Sequence, residues 1–150
     1  MSALTIYVAG ASADREAIAG YLVQLRAAGW HVTYDWPAEP EAMRGSHEAA
    51  MADVSGVARA RVFWYVAPEA KSEGSHFELG LAWMARELSA RAERRIYASG
   101  PVDHLGRVFP TLADVIFSHH ADALECLIDE AQNAQADTPR AYSPFPSEPG

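Results

Sequence analysis

Two rhythms of hydrophobic and polar positions divide this chain. Short apolar runs at residues 4–9, 31–34, 61–66, 95–98 and 114–118 predict buried β-strands. Between them, apolar residues recur every three or four positions and predict helices over 14–28, 47–58, 75–92 and 121–135. The expected buried faces are Ile18, Tyr21, Leu22 and Leu25 in the first helix and Met51, Val54 and Val57 in the second. In the third they are Phe77, Leu81, Met84 and Leu88, and in the fourth Leu124, Leu127 and Ile128. Gly29 is placed to end the first helix. Asp35-Trp36-Pro37 stops the second strand, and Ser99-Gly100-Pro101 breaks the fourth. Residues 39–46 and 68–74 read as loops, and 101–113 carries no clear period.

Strands alternating with helices predict an α/β fold. The expected form is one doubly wound, Rossmann-like or flavodoxin-like domain: a five-stranded parallel sheet with helices on both faces. It should span 1–136, followed by a proline-rich tail at 137–150 with Pro139, Pro144, Pro146 and Pro149. Such sheets bind ligands beyond the carboxyl ends of their strands, near the switch in strand order. The loops at 9–14, 35–46, 67–75 and 99–110 are therefore where chemistry is expected.

Composition narrows the function classes. The 150 residues match one ordinary domain, and 49% hydrophobic with 21% charged residues excludes a disordered chain. No apolar run approaches the ~20 residues of a membrane-spanning helix. The net charge is −8, and the densest basic cluster is only Arg91, Arg94 and Arg95, which argues against polymeric nucleic acid as a partner. A small anion remains possible, held by backbone N–H groups at a helix start. The lone Cys126 reads as a partly buried thiol. The six histidines, His119 and His120 among them, show no metal-ligand spacing, so no metal or other cofactor is assigned. The first residues have neither the basic nor the apolar region of a signal peptide, so the expected location is cytoplasmic.

Several residues in the expected loops have both a structural and a chemical reading. Ser75-x-x-Glu78 has the pattern of a helix capping box, in which Glu78 bonds the cap backbone. Gly74 beside it would let a ligand approach free N–H groups closely. Asp53 reads either as a solvated helix carboxylate or as one of two that converge, as glycoside cleavage requires. Tyr7 is a core tyrosine or a residue that orients such a carboxylate. Trp36 is packing or a flat face for a base. Gly10-Ala11-Ser12 opens a helix but lacks the glycines of a dinucleotide fingerprint or a Walker loop.

Three ordered segments resemble the nucleoside 2-deoxyribosyltransferase family. They are Thr5-Ile6-Tyr7-Val8-Ala9-Gly10 with Asp14-Arg15, Asp53-Val54-Ser55-Gly56-Val57, and Gly74-x-x-x-Glu78-Leu79-Gly80-x-Ala82. The resemblance implies that Glu78 is a nucleophile forming a glycosyl-enzyme ester, that Asp53 assists the leaving base and sugar, and that Tyr7 orients Glu78. It places substrate contacts at Gly10, Ala11, Ser12, Trp36, Ser72, Gly74 and Ser75. A carboxylate nucleophile splits one hard displacement into two easier ones.

The departures matter. Transferases acting on free deoxynucleosides carry an aspartate where this chain has Ser72, six residues before Glu78. A serine can donate to phosphate where an aspartate would repel it. Ser72-x-Gly74-x-x-x-Glu78 is thus more similar to the family's nucleoside 5′-monophosphate N-glycosidases. Ala13 stands where those members place an arginine, with Arg15 two residues on. The expectation is an N-glycosidase acting on a (deoxy)nucleoside or its 5′-monophosphate. The alternatives are a transferase that moves the sugar to another base, and a non-catalytic nucleotide-binding module. A homodimer or higher homo-oligomer is implied, with Tyr142 and Phe145 of the tail and the segment from Arg107 to Thr111 as further candidate walls.

Overall fold

The computed structural model describes residues 3–69, 72–89, 93–101 and 112–137. Five strands run β1 (Thr5–Ala9), β2 (His31–Val32), β3 (Val62–Val66), β4 (Arg95–Ser99) and β5 (Val115–Phe117). They form one all-parallel sheet in the order β2-β1-β3-β4-β5. The helices are α1 (Arg15–Ala28), α2 (His47–Arg59), α3 (Glu73–Leu88) and α4 (His120–Ala136). Helices α2 and α3 pack together on one face, and α1 and α4 on the other. This is the doubly wound α/β architecture that the alternating pattern predicts. Chain order reverses between β1 and β3, so the crevice for a ligand opens above their carboxyl ends.

The central strands carry the core. Every residue of β3 is buried, and β1 is buried from Ile6 to Ala9. Two buried indole N–H groups find partners: Trp30 Nε1 donates to the Leu127 carbonyl, and Trp64 Nε1 to Ser99 Oγ. Gly29 ends α1 at φ +110°, where its N–H reaches the carbonyls of Leu25 and Arg26. Among the described residues, no helix is long and apolar enough to cross a membrane.

The second strand is shorter than its pattern suggests. It pairs only through His31–Val32, with Thr33 N still reaching the Ile6 carbonyl. Tyr34 then leaves the sheet, and the loop beyond it is built of two 3₁₀ turns, Trp36–Ala38 and Glu41–Met43. Ser99, expected as a breaker, is the last residue of β4, where its hydroxyl serves Trp64 and lies 2.7 Å from His120 Nδ1.

Two helix faces differ from expectation because small residues make up most of what meets the sheet. In α2 the buried positions are Ala49, Gly56 and Val57, while Met51 is 52% exposed. A Cβ on Gly56 would lie 2.8 Å from Tyr34 Cβ and 3.0 Å from Tyr7 Cδ2, so the glycine lets α2 come down onto β1. In α3 the inward stripe is Ser75, Leu79 and Ala82. Phe77, Met84 and Leu88 are 65%, 45% and 79% exposed, and only Leu81 of that set packs against the core. The two stripes start two residues apart, about 200° around the helix.

The α3 start also differs. Its N-cap is Ser72, whose Oγ accepts from Ser75 N. Ser75 lies inside the helix, its hydroxyl donating back to the Ser72 carbonyl, so the capping box does not form. Residues 90–92, the segment from Arg107 to Thr111, and the tail with Tyr142 and Phe145 lie outside the described residues.

Candidate active site

Three side chains from three elements converge in the crevice. Tyr7 rises from the carboxyl half of β1, Asp53 comes from the middle of α2, and Glu78 from the second turn of α3. The Tyr7 hydroxyl lies 2.6 Å from Asp53 Oδ1 and 3.1 Å from Glu78 Oε1. Those two carboxylate oxygens are therefore no farther apart than the two bonds laid end to end. That separation fits the close carboxylate pairs of retaining glycosidases, about 5–5.5 Å, better than the ~6.5–9.5 Å of inverting ones. The Tyr7 ring is flanked by that of Phe63, its partner on β3, with centroids 5.9 Å apart and planes within 3°.

Asp53 and Glu78 line a cavity of about 590 Å³. Of the sequence-derived contact residues, Gly10, Ser12, Trp36, Ser72, Gly74 and Ser75 line it with Asp53 and Glu78. Tyr7 is fully buried beneath its floor. Ala11 does not line it; its carbonyl instead closes the turn to Asp14 N. A Cβ on Gly74 would meet no protein atom within 4 Å, so packing does not demand glycine there.

Trp36 is mainly packing. It is buried, its Nε1 donates to the Val8 carbonyl, and the Arg15 guanidinium lies 5.3 Å from the ring centroid. Arg15 also donates to the Trp36 and Pro37 carbonyls, so it braces this loop while lining the cavity. Two charged lining residues escaped the sequence reading, Glu39 and Arg44. Both belong to the loop after β2, which the strand-end rule marks, but no local motif singles them out.

The electrostatics follow from burial of like charges. Burial raises the Glu78 carboxyl to about 8, the nearby Asp53 charge adds to this, and the Tyr7 hydrogen bond opposes it. Asp53 is also raised, first by burial, against the Tyr7 bond and with help from the Glu39 charge. Tyr7 is pushed far above the ordinary phenol range by burial and both carboxylates, so its hydroxyl remains a donor. A single hydroxyl proton cannot serve two ionised carboxylates at once. The arrangement is self-consistent when one of the two carboxyls carries a proton and Tyr7 donates to the other. Among the described residues, no group of three or more His, Cys, Asp or Glu side chains is placed to hold a metal ion.

The chain superposes on the solution structure of BlsM with a TM-score of 0.57 and 19% identity. The match covers 95% of this chain and 98% of that one. At this identity the likeness concerns the fold alone. No protein-family profile matches the sequence, and no curated protein does.

Proposed function

We propose that this protein is an N-glycosidase that cleaves the bond between base and sugar of a (deoxy)nucleoside or its 5′-monophosphate. The observation that carries this reading is the Tyr7 hydroxyl shared between Asp53 and Glu78 at the floor of a nucleotide-sized cavity. Two part-buried carboxylates that hold one proton between them supply a nucleophile and an acid at neutral pH.

In the first step the Glu78 proton passes through Tyr7 to Asp53, leaving Glu78 ionised. Glu78 then attacks the anomeric carbon as the bond to the base nitrogen breaks, and the Asp53 proton goes to the departing base. The product is a glycosyl ester on Glu78, formed through an oxocarbenium-like transition state that the neighbouring negative charge stabilises. In the second step Asp53 accepts a proton from water, whose oxygen attacks the anomeric carbon and releases Glu78. Two inversions give net retention. If a second base replaced water, the same ester would yield a new nucleoside, which is the transferase alternative.

Two features support a 5′-phosphate on the substrate. Ser72 at the start of α3 and the Gly10–Ser12 turn offer polar groups without a carboxylate, and Arg44 lines the same cavity. The binding-module reading treats Glu78 as a helix cap; its bond to Tyr7 and the Ser72 cap count against that. The exposed Phe77, Met84 and Leu88 on α3, with Met51 on α2, support a homodimer joined through these helices.

The test is chromatography of released base from ribo- and deoxyribonucleosides and their 5′-monophosphates, with and without a second base. Release that disappears in Glu78→Gln supports the glycosidase, and a new nucleoside in the presence of the second base converts it to a transferase. Full activity in Glu78→Gln would overturn the mechanism.

A further inference from the structure

The cavity holds a third carboxylate that the cleavage steps above do not use. Glu39 follows β2, Tyr7 stands on β1, and Glu78 follows β3. The strands β2, β1 and β3 are neighbours in that order, and Glu39, from the loop after β2, lines the same cavity as Asp53 and Glu78, which meet at Tyr7. The electrostatic influences run in the same order: Asp53 feels the Glu39 charge, and Glu78 feels the Asp53 charge.

Glu39 is held in place. The Tyr34 hydroxyl donates to Glu39 Oε2 at 2.8 Å, and Tyr34 itself packs over Gly56 beside Tyr7. Burial and this bond push the Tyr34 hydroxyl up to about 12, so it stays a donor. The Glu39 side chain has no ion pair or further hydrogen bond among the described residues, which leaves Oε1 with its acceptor capacity unused. Arg44 lines the same cavity but is not paired with it.

We propose that Glu39, positioned by Tyr34, reads the base of the substrate by accepting a hydrogen bond from an exocyclic amino group. This rests on the glycosidase reading, because that reading fixes where the base lies. With the anomeric carbon at Glu78 and the leaving base at Asp53, the far edge of the base extends toward β2 and Glu39. A carboxylate oxygen accepts from an N–H and repels a carbonyl oxygen. The substrate class is thus a nucleoside or nucleotide with an amino-bearing base, of the cytosine or adenine type, in preference to its oxo counterpart.

The experiment compares kcat/KM for matched pairs, cytidine with uridine and adenosine with inosine, each also as the 5′-monophosphate. Wild type should favour the amino member of the accepted pair by about 10–100-fold, the scale of a hydrogen bond to a charged group. Glu39→Gln should collapse that ratio, because an amide can present either a donor or an acceptor. Tyr34→Phe should reduce it less, as befits a positioning residue, and tests the idea independently of the Glu39 variant. An unchanged ratio in folded Glu39→Gln, or a wild-type preference for the oxo base, overturns the proposal. Absence of base release from every substrate would sink the glycosidase reading instead. In that event the ratio of dissociation constants for the same pairs, measured by calorimetry, takes the place of kcat/KM: collapse in Glu39→Gln supports base reading, and no change overturns it.

Discussion

Tyr7 donates to Asp53 across 2.6 Å, and the same hydroxyl lies within hydrogen-bond reach of Glu78. The pair of carboxylates therefore titrates as a unit around one phenol. In the proposed mechanism the form with one proton is the productive one, since it keeps an acid for the base and a carboxylate for the sugar. Above the raised Glu78 value of about 8 both are ionised and the acid is gone. We expect kcat/KM for base release to fall on the alkaline side of about pH 8. The Tyr7 bond lowers both carboxyls, so Tyr7→Phe should move that limb to higher pH while reducing kcat. A limb that stays in place in Tyr7→Phe would show that another group sets it.

The same burial has a consequence for stability. An unfolded Glu78 loses its proton near 4.5, whereas the folded one keeps it to about 8. Between those values the folded state binds more protons, so stability falls as pH rises, by at most about 1.4 kcal/mol per unit. The contribution is fully present below 4.5 and lost through about 8. Glu78→Gln removes this titration and should flatten the decline of Tm across the window. Thermal melts of both proteins from pH 4 to 9 check this, and parallel curves would mean that Glu78 titrates alike folded and unfolded.

Gly74 separates a packing role from a ligand role. It lies in the first turn of α3 and lines the cavity, and a Cβ there would meet open space. Alanine is a better helix former by up to about 1 kcal/mol. Gly74→Ala should therefore fold with unchanged or higher Tm, yet lose tenfold or more in kcat/KM. Unchanged kinetics in a well-folded variant would place the ligand elsewhere in the crevice.

What the sequence made legible depended on range. The strands of the sheet were readable because β1 and β3 are buried on both faces and so read as apolar runs. Tyr7, Asp53 and Glu78 emerged from ordered motifs, but no spacing could reveal that one hydroxyl joins them. Glu39 and Arg44 were hidden because an irregular loop has no period to mark an inward side chain. The α3 face was misread because periodicity finds a stripe without saying what covers it. Helix α3 meets the sheet through Ser75, Leu79 and Ala82, of which only Leu79 carries a strong signal, while Phe77, Met84 and Leu88 all carry one.

That outward stripe leads to the last prediction. On a monomer, Phe77 and Leu88 contribute little to folding, since both are mostly exposed. Replacing both with serine should change monomer stability by only about 0.5 kcal/mol per site. If a second copy covers the face, the effect appears in assembly instead. Wild type should then run as a dimer in light scattering, with a Tm that rises with protein concentration. Phe77→Ser combined with Leu88→Ser should run as a monomer whose Tm no longer depends on concentration. The control is Val23, an exposed apolar residue on α1 at the opposite face of the sheet. Val23→Ser should leave the dimer intact, because a general loss of surface hydrophobicity is not what separates the copies. A wild type that is monomeric throughout would leave the cavity to be completed by one chain alone.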